Sequence, residues 1–338
     1  MQKKKRTFAS IMQTQKKVIS QFYYKYIFLI IIVVTILVGI IFYKLDAHIM
    51  MFGDIPSALG EYVKTLATVM GGALLILGLW INNRRVTEQI RQNNIAEKAQ
   101  INTRFKDAAT LLGSENVSSI LSGIYALHQI AMEVSVGNKR QEGYISVIHD
   151  ILCAYIRENT DNVRNEENGK MWRVNKRPAI VIQTILKVLF KNEKFIYSNL
   201  ITDLSDCVFE YIDLDNAHLS GVDFSRTKFI KSSFKETTFF SCYFEETFID
   251  GVDFSKSSFE KVIFDFSQIK NTIFANSKMK DSDFWDAGLT KVDFKNTEFR
   301  NVDFKGSIFN EDVSFENTSL MKYSLDEIRT QSTDLTKY

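Results

Sequence analysis

From Leu204 onward every fifth residue is a large apolar one, and the rhythm holds for 22 consecutive positions up to Phe309. Phe takes most of these places, as at Phe209, Phe224, Phe229 and Phe234, with Leu, Ile or Met at the rest. Two residues before each hit lies a small or β-branched side chain, among them Thr202, Cys207, Ala217, Val222 and Ser232, with Ile212 the bulkiest. A helix repeats every 3.6 residues and a strand every 2, so neither accounts for a strict five. The pattern is that of a stacked repeat, with the large side chain pointing inward from each face. The small one fills the corner, where little volume is left.

Upstream the pattern changes. Tyr26 to Tyr43 carries no charge and is rich in Ile, Val and Leu. At about 1.5 Å per residue this stretch nearly spans a hydrocarbon core of about 30 Å, which predicts a transmembrane helix. Tyr23, Tyr24, Tyr26 and Tyr43 suit an aromatic belt. No small-x-small cleavage site follows, as Phe42-Tyr43-Lys44 comes next, so a retained span is expected in place of a cleaved signal. Thr65 to Asn83 is a second uncharged run, closed by Arg84-Arg85, and the two predict a hairpin over 26–83. Ala67, Gly71, Gly72 and Gly78 would let another helix approach closely, either within the hairpin or between copies. Basic residues flank the outer ends, including Lys3, Lys4, Lys5 and Arg6 in the acid-free segment 1–25. By the positive-inside rule both termini are then cytoplasmic.

Residues 84–192 read as a helical stalk and adaptor. Arg84–Leu112 lacks Gly and Pro, Gly113 ends that helix and Ser114 can open the next turn. Ile120, Ile124, Leu127, Ala131 and Val134 mark a second helix, and Tyr144, Ile148, Ile151, Leu152 and Tyr155 a third. A charged loop over 158–176 follows, then Pro178 and a fourth helix over Ala179–Phe190.

Net charge is only +2, so no bulk attraction to nucleic acid is implied. The three cysteines, Cys153, Cys207 and Cys242, form no CxxC, and a reducing, cytosolic setting suits them. HExxH, GxSxG, the phosphate-binding loop and GxGxxG are all absent from the sequence. His149-Asp150 pairs an acid with an imidazole, but adjacent helical residues do not face each other, and with His128 they read as packing or surface residues. A non-enzymatic chain without cofactor or metal is expected.

Thr103-Arg104-Phe105, Leu111-Leu112-Gly113-Ser114, Ser122-Gly123-Ile124-Tyr125-Ala126-Leu127 and Leu152-Cys153-Ala154-Tyr155-Ile156-Arg157-Glu158 resemble a segment of bacterial membrane-anchored pentapeptide-repeat proteins. There a two-helix hairpin and a helical unit precede a basic-Pro dipeptide, here Arg177-Pro178, and the repeats. Val222-Asp223-Phe224, Val252-Asp253-Phe254, Val292-Asp293-Phe294 and Val302-Asp303-Phe304 carry the repeat motif. The resemblance implies a right-handed quadrilateral β-helix over 193–315 with four repeats per coil, a C-terminal cap and tail over 316–338, and an inner-membrane location. Coils stacked about 4.8 Å apart would make a rod roughly 26 Å long. Ser324-Leu325-Asp326-Glu327 is a capping box for a short helix over one end, and the helix 179–190 is expected over the other.

On the outside, Tyr243 and Ile263 lie one coil apart, Phe248 and Phe266 fall near the neighbouring corner, and Trp285 also points outward. This cluster is a candidate partner or self-association surface, unless the helical unit or tail covers it. Residues 201–310 hold 19 Asp and Glu against 13 Lys and Arg. Some soluble relatives mimic DNA with an acidic rod and bind topoisomerases. Lys228, Lys231, Lys235, Lys256 and Lys261 look like interruptions of any acidic face, and a membrane anchor is awkward for that role. The expected function is a membrane-tethered scaffold with a protein partner. The rival is an oligomerising, membrane-perturbing effector of stress or anti-phage defence.

Overall fold

The computed structural model describes residues 33–34, 36–53, 56–136, 143–160, 179–192, 194–310 and 312–320. The chain divides into two compact units, Met1–Glu97 and Lys98–Tyr338. In the first, α1 covers residues 36–44, α2 is Ala47–Phe52 and α3 is Ala58–Leu112. The loop expected between the apolar runs therefore contains a short helix. The Tyr62 hydroxyl donates to the Gly39 carbonyl at 3.0 Å, and Leu66 packs against Gly39, so α1 and α3 meet where Gly39 leaves room. Among the described residues one helix is long and apolar enough to cross a membrane, α3, and its apolar window (mean hydropathy 1.7) is wholly unburied. Of the expected first span, Tyr26–Tyr43, residues 26–32 and 35 lie outside the described residues, and two spans are not established.

The second unit begins within α3. The expected stalk is helical throughout, and α3 ends at Leu112, before Gly113. Asn116, and not Ser114, caps α4 (Val117–Val136), because its Oδ1 accepts from the amides of Ser118 and Ser119 at 2.9 and 3.2 Å. Gly123 sets the approach of α4 to α3. A Cβ there would stand 2.7 Å from the Leu112 nitrogen and 2.8 Å from the Ala108 carbonyl oxygen. Ile120, Ile124, Leu127, Ile130 and Val134 bury one stripe of α4, and α5 (Gly143–Thr160) adds Ile148, Leu152 and Ile156 to the same core. Arg104 closes the outside with a two-pronged pair to Glu133 at 2.7 and 3.0 Å.

Helix α6 (Ala179–Phe190) matches its expected bounds and covers the first coil. Its Gln183 amide donates to the Asp213 carbonyl at 2.6 Å and accepts the Asp213 N–H at 2.8 Å, standing in for a missing neighbour strand. Ile182, Ile185 and Leu189 join the interior core behind it.

The repeats wind as four faces per coil, each residue pairing with the one 20 positions on. Two faces form parallel six-stranded ladders and the two between them are joined by shorter bridges. The corner is fixed by a left-handed residue two places after each hit up to Phe304, with φ near +50° to +60° except at the glycines, and again at Asp312 and Asn317. At alternate corners a turn hydrogen bond closes, as from the Thr227 N–H to Phe224 O at 3.0 Å. All 22 hits are buried, and phenylalanines stack coil on coil: Phe239 on Phe259 at 4.8 Å, Phe264 on Phe284 at 4.6 Å.

The slot two before each hit does more than stay small. Thr227, Thr237 and Ser257 donate their hydroxyls to the carbonyls of Leu204, Leu214 and Phe234 one coil back, at 2.8, 2.7 and 2.6 Å. An internal ladder of hydroxyls thus satisfies buried carbonyls. Cys242 takes a place in it, its Sγ 3.6 Å from Leu219 O.

The solenoid runs past residue 315. One extra residue lies between Phe309 and the next interior side chain, Phe315, which stacks on Phe294 at 5.2 Å. The following strand, Ser319–Leu320, pairs with Glu298 and Phe299, a register of 21 in place of 20. The expected cap at Ser324–Glu327 lies outside the described residues, as do segment 1–25 and most of the charged loop.

Candidate interaction surface

Because 20 residues make a coil, outward positions with the same remainder share a face. Asp203, Asp223, Tyr243, Ile263, Asp283 and Asp303 form one ladder, each paired to the next. The residue after each hit on this face, including Glu245, Asp265, Trp285 and Lys305, runs beside it. The trailing corner carries Glu246, Phe266 and Asp286. Four of the five candidate partner residues, Tyr243, Ile263, Phe266 and Trp285, therefore come together on consecutive coils. Tyr243 is 42% exposed, Phe266 52% and Trp285 47%. The Phe266 and Trp285 rings lie 6.1 Å apart, and the Lys305 ammonium sits 5.7 Å from the Trp285 ring. Phe266 holds φ +56°, a region that bulky residues rarely adopt. Phe248 is separate: it lies on the next face, half-buried, with the Lys270 ammonium 5.6 Å from its ring.

Charge sorting changes the picture drawn from the sequence. The aromatic face and its corner hold nine carboxylates and two cations, and the other three faces together hold ten carboxylates and eleven cations across 201–310. Lys228, Lys231, Lys235, Lys256 and Lys261 all lie on those other faces, so the expectation that they interrupt the acidic face is wrong. A spacing of 20 decides this, and a linear count blurs it. Asp265 accepts the Trp285 N–H at 2.8 Å, yet burial and the nearby Asp283, Glu245 and Asp303 push its carboxyl above the usual range. Asp283 is raised in the same direction by burial and by Asp303 and Asp281.

The family described as Pentapeptide repeats matches residues 202–239 and 274–306, in eight copies. The coiled segment is a pentapeptide-repeat solenoid. Among solved structures, QnrB1, a plasmid-mediated fluoroquinolone resistance protein, is 14% identical over 39% of this chain and 84% of its own, with a TM-score of 0.16. HetL from the cyanobacterium Nostoc, involved in heterocyst differentiation regulation, is 12% identical over 36% and 89%, with a TM-score of 0.15. A pentapeptide-repeat protein of the Arabidopsis thaliana thylakoid lumen is 17% identical over 34% and 69%, with a TM-score of 0.14. At such scores the likeness carries no argument on function. A search of curated proteins found no match.

Where α5 meets the first coil of the pentapeptide-repeat solenoid lies a polar cluster the sequence did not reveal. His149 is buried, its Nε2 2.9 Å from Thr202 Oγ1 and 3.6 Å from Cys153 Sγ, and its Nδ1 3.4 Å from Asp150 Oδ1. Adjacent helical residues thus do meet here, contrary to expectation, though His149 is buried and Asp150 largely exposed. Tyr197 lies between His149 and His128, 5.9 Å from each ring. The set resembles a nucleophile, base and acid, but burial pushes the Cys153 thiol up to about 12. A thiol so held stays protonated and inert. The cluster reads as a joint between helices and coil. Among the described residues no group of three or more His, Cys, Asp or Glu is placed to hold a metal ion.

The membrane-helix candidates behave differently from Gly39. A Cβ at Gly71, Gly72 or Gly78 meets no described atom within 4 Å, and Ala67 is exposed. Among the described residues nothing packs on these small residues.

Proposed function

We propose that this chain is a non-enzymatic interaction scaffold tethered to a membrane, displaying its solenoid to the cytoplasm of a bacterium. One observation carries the interaction reading: Tyr243, Ile263, Phe266 and Trp285 stand outward on consecutive coils of a single face while the interior positions are filled. Exposed aromatic clusters of this kind mark contact surfaces. Supporting the tether are the unburied apolar window of α3 and the basic flanks of both apolar runs. The test is in-cell photo-crosslinking from position 285, with position 250 on another face as reference. A discrete adduct from 285 alone, recovered in a carbonate-washed membrane fraction, fits the proposal. Equal adducts from both sites, or a chain released by carbonate, would refute it.

A second reading has its own support, the small-residue stripe of α3, against which no described residue packs. In it the apolar helices oligomerise and perturb the bilayer when the solenoid senses a signal. Depolarisation by the full chain that Gly71→Leu abolishes would favour this effector.

A further inference from the structure

On two other faces of the solenoid, carboxylates find cations on a neighbouring coil, as in Glu236 with Lys256 and Asp253 with Lys235 on one, and Glu260 with Lys280 and Glu298 with Lys278 on the next. On the aromatic face such pairing ends at Asp206, which Arg226 holds at 2.8 Å. Beyond it, among the described residues, Glu245, Asp265, Asp283 and Asp303 have no ion pair. Even Lys305 sits over the Trp285 ring. An apolar centre is thus flanked along the stack by carboxylates that form no ion pair among the described residues, Asp223 and Glu245 on one side and Asp283 and Asp303 on the other, with Arg157 and Arg226 holding Asp203 and Asp206 beyond the first side.

We infer that this face binds a cationic protein segment, one with an apolar centre flanked at both ends by Lys or Arg. The flanking carboxylates set its size. From Asp223 to Asp303 is four coil steps, about 19 Å at the spacing of paired strands, which a helix of about 13 residues covers. Aromatic and aliphatic groups of the segment cover Tyr243, Ile263, Phe266 and Trp285, and its terminal cations neutralise the carboxylates beside them. A polyanion or an anionic lipid surface meets repulsion on the same face. The inference rests on the interaction reading proposed above and supplies the chemistry of the partner.

The probe is a fluorescein-labelled helical peptide of about 15 residues with Leu and Phe at its centre and Lys pairs at each end, titrated into the full chain in maltoside micelles. A second peptide carries Glu in place of Lys. The Lys peptide is expected to bind at least tenfold tighter than the Glu peptide, with affinity falling as salt rises. Trp285→Ala, and separately the pair Asp283→Asn with Asp303→Asn, each weaken it by about tenfold. Phe240→Ala and Asp250→Asn, on other faces, leave it unchanged. Equal binding of both peptides, or equal losses from the off-face variants, would overturn the inference. If the position-285 adduct persists while the Lys peptide is rejected, the partner chemistry is wrong and the interaction surface stands. Loss of both removes the surface as well.

Discussion

Phe264→Ala tests the solenoid interior. Phe264 is fully buried, stacked on Phe244 at 4.9 Å and on Phe284 at 4.6 Å, with Phe259 and Phe274 near its edges at 5.9 and 6.0 Å. Removing a buried Phe costs about 3–5 kcal/mol, and each lost aromatic pair adds about 0.5–1.5 kcal/mol. The backbone ladder on both sides keeps neighbouring coils from collapsing into the gap, so the upper part of that range, about 5 kcal/mol, is expected. That is a large share of the about 5–15 kcal/mol that holds a typical domain. Stacked repeats couple to nearest neighbours, so amide protection should fall first across residues 240–290. The assay is urea unfolding of the full chain in micelles, followed by hydrogen exchange mass spectrometry, with Phe264→Leu as a volume-sparing reference costing under about 1.5 kcal/mol. A loss below about 1.5 kcal/mol for the Ala variant, or equal losses for both, would show that the stacked column does not carry the fold.

Gly123→Ala drives a methyl into the backbone of Leu112 and Ala108, and a loss of about 2–3 kcal/mol with earlier melting of the helical unit is expected by thermal circular dichroism. A single Ala inserted after Ser257 throws later interior Phe out of register and should unfold the downstream coils. The same insertion after Asn310, where the chain already accommodates an extra residue, should shift the urea midpoint little. Burial lowers the pKa of both His128 and His149, so the unfolded chain binds protons more readily than the folded one. Their contribution to stability is full above the ordinary histidine value and is lost as pH falls through it toward the depressed folded values. Melting temperature should drop on acidification between about pH 7 and 5, less so in His149→Gln, and a rise in the wild-type chain would contradict the buried joint.

The five-residue period made the solenoid legible because each repeat must bury its own large side chain, and nothing distant can alter which residue that is. Helix α6 was equally plain, since Pro178 and the apolar stripe from Ile182 to Leu189 are local signals. The candidate surface was half legible: Tyr243 and Ile263 followed from a spacing of 20, whereas the separation of Phe248 from Phe266 and Trp285 needed the corner geometry. The hydroxyl ladder was read only as small side chains, because its partners are carbonyls 23 residues away. The extra residue before Phe315 hid the last coil from a strict count. His149, Cys153, Thr202 and Tyr197 are scattered over 54 residues and meet only where the helical unit docks on the first coil. The sequence by itself determined what lies inside the coil, because burial is settled within five residues. Only the tertiary structure decided which charges share a face, because closing the coil brings together side chains 20 residues apart and separates those that are neighbours along the chain.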